Sequence, residues 1–368
     1  MAKKKTKLQI AQEQAEAAVT KANALIDTLG YSTKEMYDRL TEIQSVFDAI
    51  RNIPEEKRLE YEQLKTIRLE WKQQVEKIEK DYDTAKVKAA GEGAAGAGAG
   101  VAVAALGPTA AMGIATTFGV ATTGTAISTL SGAAATNAAL AWLGGGALTA
   151  GGGGMAAGQA LLALAGPIGW AIAGVALLGS GIMFFKAKSD QRRLENVFTL
   201  ISERDVKSYE LAMVELNERI YRLGSESGQL ASACERISSF GLDYTRMTES
   251  QQFELGSYVN LMNASTQLLV NPIVGLLPKY SDDDYSKYET IKEKAEDEEK
   301  EKTEKNMIIY LANLLYKIEM DDTDRKLLWK SFRGNKKFLE TMKIKKKDFQ
   351  YSLMEKVGKA LDLKYQPA

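Results

Sequence analysis

The sequence contains no histidine, and this absence removes a large set of mechanisms. Histidine is the commonest general acid–base, the commonest zinc ligand and the usual switch near neutral pH, and it is missing from all 368 residues. The single cysteine, Cys234, excludes an intrachain disulfide and a thiolate metal cluster. We therefore expect no catalytic residue, no metal site and no cofactor, and we do not expect an enzyme.

Proline is also scarce, and alternating runs of β-branched residues are few, which makes a large sheet improbable on composition. Apolar and small residues instead recur at alternating spacings of three and four from Leu8 to Leu29 and again from Tyr209 to Leu223. This is the spacing of coiled-coil seams. Gly30 and Gly224 follow these seams and are predicted to end their helices, and Pro54 is predicted to begin a new one. The sequence predicts an all-α fold with long amphipathic helices.

Charge is absent from one long segment. From Gly93 to Phe185 there are 93 consecutive residues without Asp, Glu, Lys or Arg. Ordinary globular domains are about one-quarter charged, so this uncharged block is not a chance fluctuation. The composition divides the chain into four predicted segments: N-terminal coiled-coil helices at 1–88, a glycine-rich apolar membrane-insertion region at 89–185, a second helical segment at 186–270, and a charged helical C-terminal domain at 271–368.

The uncharged block has the properties of membrane-spanning helices. About 20 apolar residues cross a bilayer core as a helix, and the strongest window is Ala160–Phe185, with weaker windows at Gly100–Ala121 and Thr125–Leu148. Basic residues flank both ends, which predicts an even number of crossings, two or four. Small residues at spacings of four predict close helix packing. The predicted insertion and packing residues are Ala111, Ala115, Gly119, Ala165, Gly169, Trp170, Ala173, Phe184 and Phe185.

Two other interpretations of the block remain open. It is also consistent with a buried Ala/Gly core of a soluble bundle, covered by the flanking amphipathic helices. A third possibility joins the two, because a weakly apolar segment can be sheltered in a soluble state and released to a membrane later.

Basic residues concentrate near the C-terminus. From Arg325 to Lys347 there are ten bases and a single acid, Glu340, interleaved with aromatic and aliphatic residues. This composition suits anionic lipid or nucleic-acid phosphate, and the uncharged block makes lipid the preferred partner and nucleic acid an unlikely one. The alternative is a solvated face that pairs with the preceding acidic stretch. The predicted lipid contacts are Lys186, Lys188, Arg192, Arg193, Lys326, Trp329, Lys330, Arg333, Lys336 and Lys337.

Other motifs predict structure rather than ligand binding. The glycine-rich start of the block lacks the Lys-Ser or Lys-Thr of a phosphate-binding loop, so we expect no nucleotide site. The aspartate runs at 282–284 and 321–324 lack the ligand spacing of a calcium loop and are predicted to cap helix N-termini. Cys234 lies on an apolar seam and is predicted to be a packed core thiol.

The order of amphipathic helices, a long apolar segment and further amphipathic helices resembles the α-helical pore-forming toxins. The resemblance covers about residues 1–270 and lies in the pattern, carried by the Leu8–Leu29 seam, the helix around Trp71, the uncharged block and the Tyr209–Leu223 seam. The block is also similar to the Ala/Gly-rich hairpin of colicin pore domains, although theirs is shorter. The resemblance implies a helical bundle that hides an apolar hairpin and later inserts it.

These observations predict a membrane-active, pore-forming bacterial toxin or defence effector that self-associates into a homo-oligomer. No cleavable signal peptide is visible, so we expect synthesis in the cytoplasm and action at a membrane, either the bacterial inner membrane or that of a target cell. The alternatives are a permanent membrane-anchored coiled-coil scaffold and a soluble helical interaction protein with the block as its core.

Overall fold

A computed structural model describes residues 5–93, 108–119, 187–277, 279–290, 298–336, 339 and 344–365. The regular elements in these ranges are helices, which confirms the all-α prediction. The α-helices are α1 (Lys7–Ala49), α2 (Glu55–Gly93), α3 (Pro108–Phe118), α4 (Lys188–Ser238), α5 (Glu249–Val270), α6 (Asp282–Glu289), α7 (Glu298–Leu315), α8 (Asp322–Gly334) and α9 (Ser352–Tyr365). Short 3₁₀ turns lie at Tyr244–Arg246 and Val274–Leu276.

The helix termini follow local capping rules. Thr6 and Gln9 form a reciprocal capping box at the start of α1, and Thr248 does the same with Gln251 at the start of α5. The break at Pro54 is confirmed, since α2 begins immediately after it with acidic residues in its first turn. Asp321 caps α8 by accepting a hydrogen bond from the backbone N–H of Asp324, as predicted.

The helix ends predicted at Gly30 and Gly224 are wrong. Both glycines lie inside continuous helices, α1 and α4, of 43 and 51 residues. Glycine ends a helix when the chain turns into the left-handed region, and neither glycine has a positive φ. Packing along the whole helix overrides the weak helix propensity of a single glycine.

The two longest helices, α1 and α4, run parallel in a constant register. Ser227 contacts the sulfur of Met36, and Asn52 donates a hydrogen bond to Asp243; each pair is separated by 191 positions. Beyond the helix ends, the backbone N–H of Arg51 bonds the carbonyl of Leu242 at 2.9 Å. The seam predicted on each helix therefore faces the other helix, while coiled-coil supercoiling stays a prediction.

Helices α2 and α5 return antiparallel along this pair. Phe47 of α1 packs on Tyr61 of α2 with ring centroids 5.3 Å apart. Arg236 near the end of α4 pairs with Glu254 near the start of α5 at 3.0 Å. The four helices enclose a continuous hydrophobic core that contains the fully buried Trp71.

A second core lies at the start of α4. The N-terminal part of α4 packs with α6–α9, and Leu8 of α1 joins the same cluster. Asn313 of α7 organises this unit: its Oδ1 accepts the backbone N–H groups of Lys279 and Tyr280, and its Nδ2 donates to the carbonyl of Tyr280. The C-terminal unit is thus built directly onto the long α4 helix.

Among the described helices, none combines the length and the apolar character needed to cross a bilayer. The strongest predicted span, Ala160–Phe185, and the window Thr125–Leu148 lie outside the described residues. The third window is described only at 108–119. There α3 has 11 residues, a rise of about 16 Å, which is roughly half the thickness of a bilayer core.

Candidate functional site: the enclosed helix

The helix α3 comes from the uncharged block and is buried on every side. All ten residues from 110 to 119 are buried, including the polar Thr116 and Thr117. The enclosing helices are α1, α2 and α5. An ordinary surface helix buries one face, whereas a helix that is apolar all round belongs in a protein core or in a membrane. This enclosed helix is the candidate functional element.

Two glycines allow α3 to approach α1 at backbone contact. A Cβ placed on Gly30 would lie 1.8 Å from the carbonyl oxygen of Thr109, and one placed on Gly113 would lie 2.2 Å from that of Ile26. Side chains at either position are therefore excluded by backbone atoms that cannot rotate away. This crossing is of the small-residue type that brings helices into close contact in membranes as well as in tightly packed cores.

A second attachment fixes the C-terminal end of α3. The backbone N–H of Ile273 donates to the carbonyl of Thr117 at 2.7 Å. Gly119 turns the chain with φ of +75°, and a Cβ there would lie 2.7 Å from the carbonyl oxygen of Val270. Only glycine satisfies both the left-handed backbone and the close approach. The end of α3 is thus bonded to the segment that follows α5.

The two buried threonine hydroxyls of α3 differ in their hydrogen bonding. Thr117 donates its hydroxyl to the carbonyl of Gly113 at 2.7 Å. The Oγ1 of Thr116 is fully buried and has no hydrogen-bond partner among the described residues. A buried hydroxyl without a partner costs roughly 1–3 kcal/mol, so enclosure of α3 carries an uncompensated penalty.

The enclosing helices also bury a cation. Arg68 of α2 is only 4% exposed and donates to Gln44 of α1 at 2.7 Å and to Thr266 of α5 at 3.4 Å. Within the described ranges no carboxylate forms an ion pair with it. Burial lowers the pKa of Arg68 to about 10, an effect that Tyr37 and Asp48 oppose. A buried guanidinium therefore lies where the three helices around α3 meet, and its desolvation destabilises the folded bundle.

A buried ion pair connects α4 to the C-terminal unit. Arg204 contacts Asp205 at 2.7 Å and also donates to the carbonyls of Leu314 and Tyr316 at the end of α7. The Oδ2 of Asp205 has no partner among the described residues, and a cavity of about 20 Å³ lies beside the pair. Burial raises the pKa of Asp205, and Arg204 opposes that rise.

Three of the predicted packing residues are described, and all lie in the enclosed helix. Ala111 and Ala115 are buried along α3, and Gly119 forms the turn at its end. They contact protein in this state. The remaining predicted insertion residues lie outside the described ranges: Ala165, Gly169, Trp170, Ala173, Phe184 and Phe185.

The predicted lipid contacts separate into several environments. Lys188 and Arg192 are exposed on the first turns of α4, whereas Arg193 pairs with Asp321 and Asp324 of the C-terminal unit. Lys186 and Lys337 lie outside the described residues. The others lie on α8 or just after it: exposed Lys326, Lys330 and Lys336, and half-buried Trp329 and Arg333.

Other predicted features have a structural role. Cys234 is buried in the main core, and burial raises the pKa of its thiol to about 11, as expected for a packed core cysteine. The described residues contain no group of His, Cys, Asp or Glu side chains arranged to hold a metal ion.

The contact between Gly30 and Gly113 and the burial of Arg68 were not predicted from the sequence. One signal for Gly30 was present, because the apolar register continues across it from Leu29 through Thr33 to Met36, which argues against a helix end. For Arg68 the spacing contained no signal, since a lone arginine on a charged helix normally faces solvent.

In comparisons with known proteins, neither a family model, nor a curated sequence, nor a solved structure matches this chain.

Proposed function

We propose that this protein is a membrane-active effector that stores apolar helix α3 inside a helical bundle and releases it, with the rest of the uncharged block, into a bilayer. The observation that carries the proposal is the burial of every residue from 110 to 119 between α1, α2 and α5. A helix that presents apolar residues on every side is compatible with lipid once the enclosing helices separate. The action is permeabilisation of a membrane reached from the cytoplasm of the producing cell or from outside a target cell.

The uncompensated polar groups support a closed bundle that can open. Among the described residues, the Thr116 hydroxyl has no hydrogen-bond partner, and Arg68 bonds only neutral groups. Both costs fall on the state in which α3 is enclosed. Exposure of Arg68 to water would recover its hydration, so the free-energy gap between the closed and open bundles is reduced.

Self-association is part of the proposal. Leu211, Val214 and Tyr221 on α4 are 69%, 66% and 75% exposed, at spacings of three and seven residues. This is the spacing of a helix seam. We infer that this face packs against a second copy of the chain in the membrane-bound state, giving the homo-oligomer.

A second candidate function is favoured by the close crossing of α1 and α3. Backbone contact through Gly30 and Gly113 is also typical of the tightly packed core of a protein whose helices stay together. On this reading the protein is a soluble helical interaction protein, and α3 never leaves the bundle.

The test follows a single cysteine placed on α3. In a Cys234→Ala background, Thr116→Cys puts a thiol at a buried position, and Ser257→Cys puts one at an exposed position of α5 as the matched control. Each variant is exposed to a water-soluble and to a lipid-soluble maleimide, with and without dye-loaded phosphatidylglycerol vesicles, at neutral and mildly acidic pH.

We expect the Thr116→Cys thiol to be protected in buffer and to react with the lipid-soluble reagent when the vesicles leak. Protection under every condition, with no leakage, would reject the membrane-active function in favour of the soluble core. Recovery of the chain only in the membrane pellet would identify a permanent anchor. Rapid labelling in buffer would show that α3 is not enclosed, and both candidate functions would fail.

A further inference from the structure

The bases of the C-terminal unit lie on two surfaces with different charge balance. One surface borders a cavity of about 320 Å³ lined by three bases and three acids. These are Arg325, Lys326, Lys359, Asp322, Glu355 and Asp362. Its cations have carboxylates beside them, and Arg325 pairs with Asp322 at 3.4 Å. The charges of this surface are therefore balanced by acids of α8 and α9 and not by the acidic stretch that precedes them in sequence.

The other surface is a groove of about 510 Å³ at the end of α8, which we call the basic groove. It is lined by Arg333, Lys336, Lys345 and Lys346, with Leu339 and Ile344 as apolar lining, and none of the described residues that line it is an acid. Lys345 and Lys346 are exposed, and in the described ranges no carboxylate pairs with them or with Arg333. The α8 C-terminus favours a nearby cation, but it carries only about half a negative charge. Among the described residues, Arg333, Lys345 and Lys346 therefore carry more positive charge than the fold compensates.

The geometry of the basic groove is held by the fold. Arg333 donates its Nε–H to the carbonyl of Lys346 at 3.2 Å, which joins α8 to the 345–347 turn. Its guanidinium also lies over the Trp329 ring, 5.2 Å from the centroid. The Arg333 guanidinium is thus fixed beside the Lys346 backbone before any ligand arrives, which lowers the ordering cost of binding an anion.

The aromatic residue beside the basic groove is not available for base stacking. The Trp329 ring has Arg333 over it and Tyr351 edge-on at 5.8 Å, and its indole N–H donates to the carbonyl of Phe349 at 3.1 Å. Single-stranded nucleic acid binds largely through bases stacked on open aromatic faces. The half-buried aliphatic side chain of Ile344 instead suits the boundary between headgroups and acyl chains.

We propose that the basic groove binds the phosphate-bearing headgroup of an anionic lipid and docks the closed bundle on a membrane surface before α3 is released. The inference rests on the proposed function, since it names the lipid class that the membrane-active protein recognises. Docking needs only the C-terminal unit, which lies on the first part of α4 and away from the enclosed helix.

The experiment measures sedimentation of the full chain with vesicles of phosphatidylcholine alone or with added phosphatidylglycerol. The groove variant Lys345→Gln/Lys346→Gln changes two exposed side chains and leaves Arg333 in place. The matched control Lys326→Gln/Lys359→Gln removes the same charge from the compensated surface. Circular dichroism of each variant establishes that the fold is retained.

We expect binding that requires phosphatidylglycerol, weakens with salt, and falls about tenfold to thirtyfold in the groove variant but about threefold or less in the control. Equal losses in both variants, or no dependence on phosphatidylglycerol, would overturn the proposal. So would tighter groove-dependent binding of inorganic phosphate or of a single-stranded oligonucleotide than of vesicles.

Sedimentation is scored separately from dye leakage, which keeps the two proposals distinguishable. Groove-dependent binding without leakage would support the docking site while rejecting release of α3. Leakage from the groove variant at wild-type vesicle concentrations would overturn the docking site while leaving the release of α3 standing.

Discussion

The substitution Gly30→Ala tests the enclosed position of α3 most directly. In an unhindered helix, alanine is favoured over glycine by about 1 kcal/mol because it restricts the unfolded chain and improves helix propensity. At Gly30 the new methyl group would lie 1.8 Å from the carbonyl oxygen of Thr109, far inside the 3.0 Å that real Cβ atoms observe. Helices α1 and α3 would have to separate by about 1 Å or more.

The magnitude follows from these opposing terms. Overpacking of a rigid core costs about 1–3 kcal/mol, and we take about 2–4 kcal/mol here because the obstacle is backbone. After the propensity gain is subtracted, we expect Gly30→Ala to lower the free energy of unfolding by about 1–3 kcal/mol. Gly224→Ala on α4 is the matched control, because a Cβ there meets no atom within 4 Å. It should raise the free energy of unfolding by about 0.5–1 kcal/mol.

The assay is urea unfolding followed by circular dichroism, combined with dye leakage from vesicles. A loss of about 2 kcal/mol that falls on the closed bundle alone would increase the open population, and the initial leakage rate, about thirtyfold. If Gly30→Ala were as stable as Gly224→Ala, the close crossing of α1 and α3 would be refuted. If Gly30→Ala lowered the free energy of unfolding as expected but did not increase the leakage rate, the result would count against release of α3.

Three further predictions concern buried titratable groups. Arg68→Met removes a desolvated cation, so we expect an unchanged or higher free energy of unfolding and slower leakage. If urea unfolding instead showed a loss above about 2 kcal/mol, the hydrogen bonds of Arg68 would outweigh its desolvation cost. Because burial raises the pKa of Asp205, the folded chain binds a proton more tightly than the unfolded chain. Protonation of Asp205 therefore adds to the free energy of unfolding below the pKa of the unfolded chain, and this contribution is lost as pH rises through the pKa of the folded chain. Asp205→Asn should flatten that part of the profile of unfolding free energy against pH, and an unaltered profile would contradict the assignment. Cys234 should react with a soluble disulfide reagent at least tenfold more slowly in the native state than in urea, because burial shields the thiol and raises its pKa to about 11. Equal rates in the two conditions would show that the helix seam around Cys234 is open.

Local rules were sufficient for the helical class and for several helix ends. The three–four spacing from Leu8 to Leu29 predicted a helix because only a 3.6-residue period places those side chains on one face. Pro54 and Asp321 marked helix starts because proline lacks an amide hydrogen and a short carboxylate caps free N–H groups. The absence of histidine and the long uncharged block are likewise facts of composition.

The position of the candidate site depended on contacts between distant segments. Gly30 was predicted to end a helix because glycine is the common C-cap residue, yet it lies inside α1, where α3 approaches it at backbone contact. That contact joins residues about 80 positions apart, and no local pattern specifies which helix covers which face. Charge balance around the basic residues also depends on distant segments, since Glu355 and Asp362 of α9 lie on the same surface as Lys326 of α8.

The sequence by itself therefore determined that this protein is helical, that it has no histidine and a single cysteine, and that it carries a segment of 93 residues without a charged side chain. Only the tertiary structure decided that α3 is enclosed by α1, α2 and α5, that Arg68 is buried among neutral partners, and that the basic residues divide between a compensated surface and the basic groove. The physical reason is that secondary structure follows from interactions within a few residues. Burial and charge pairing follow from which segments meet in space.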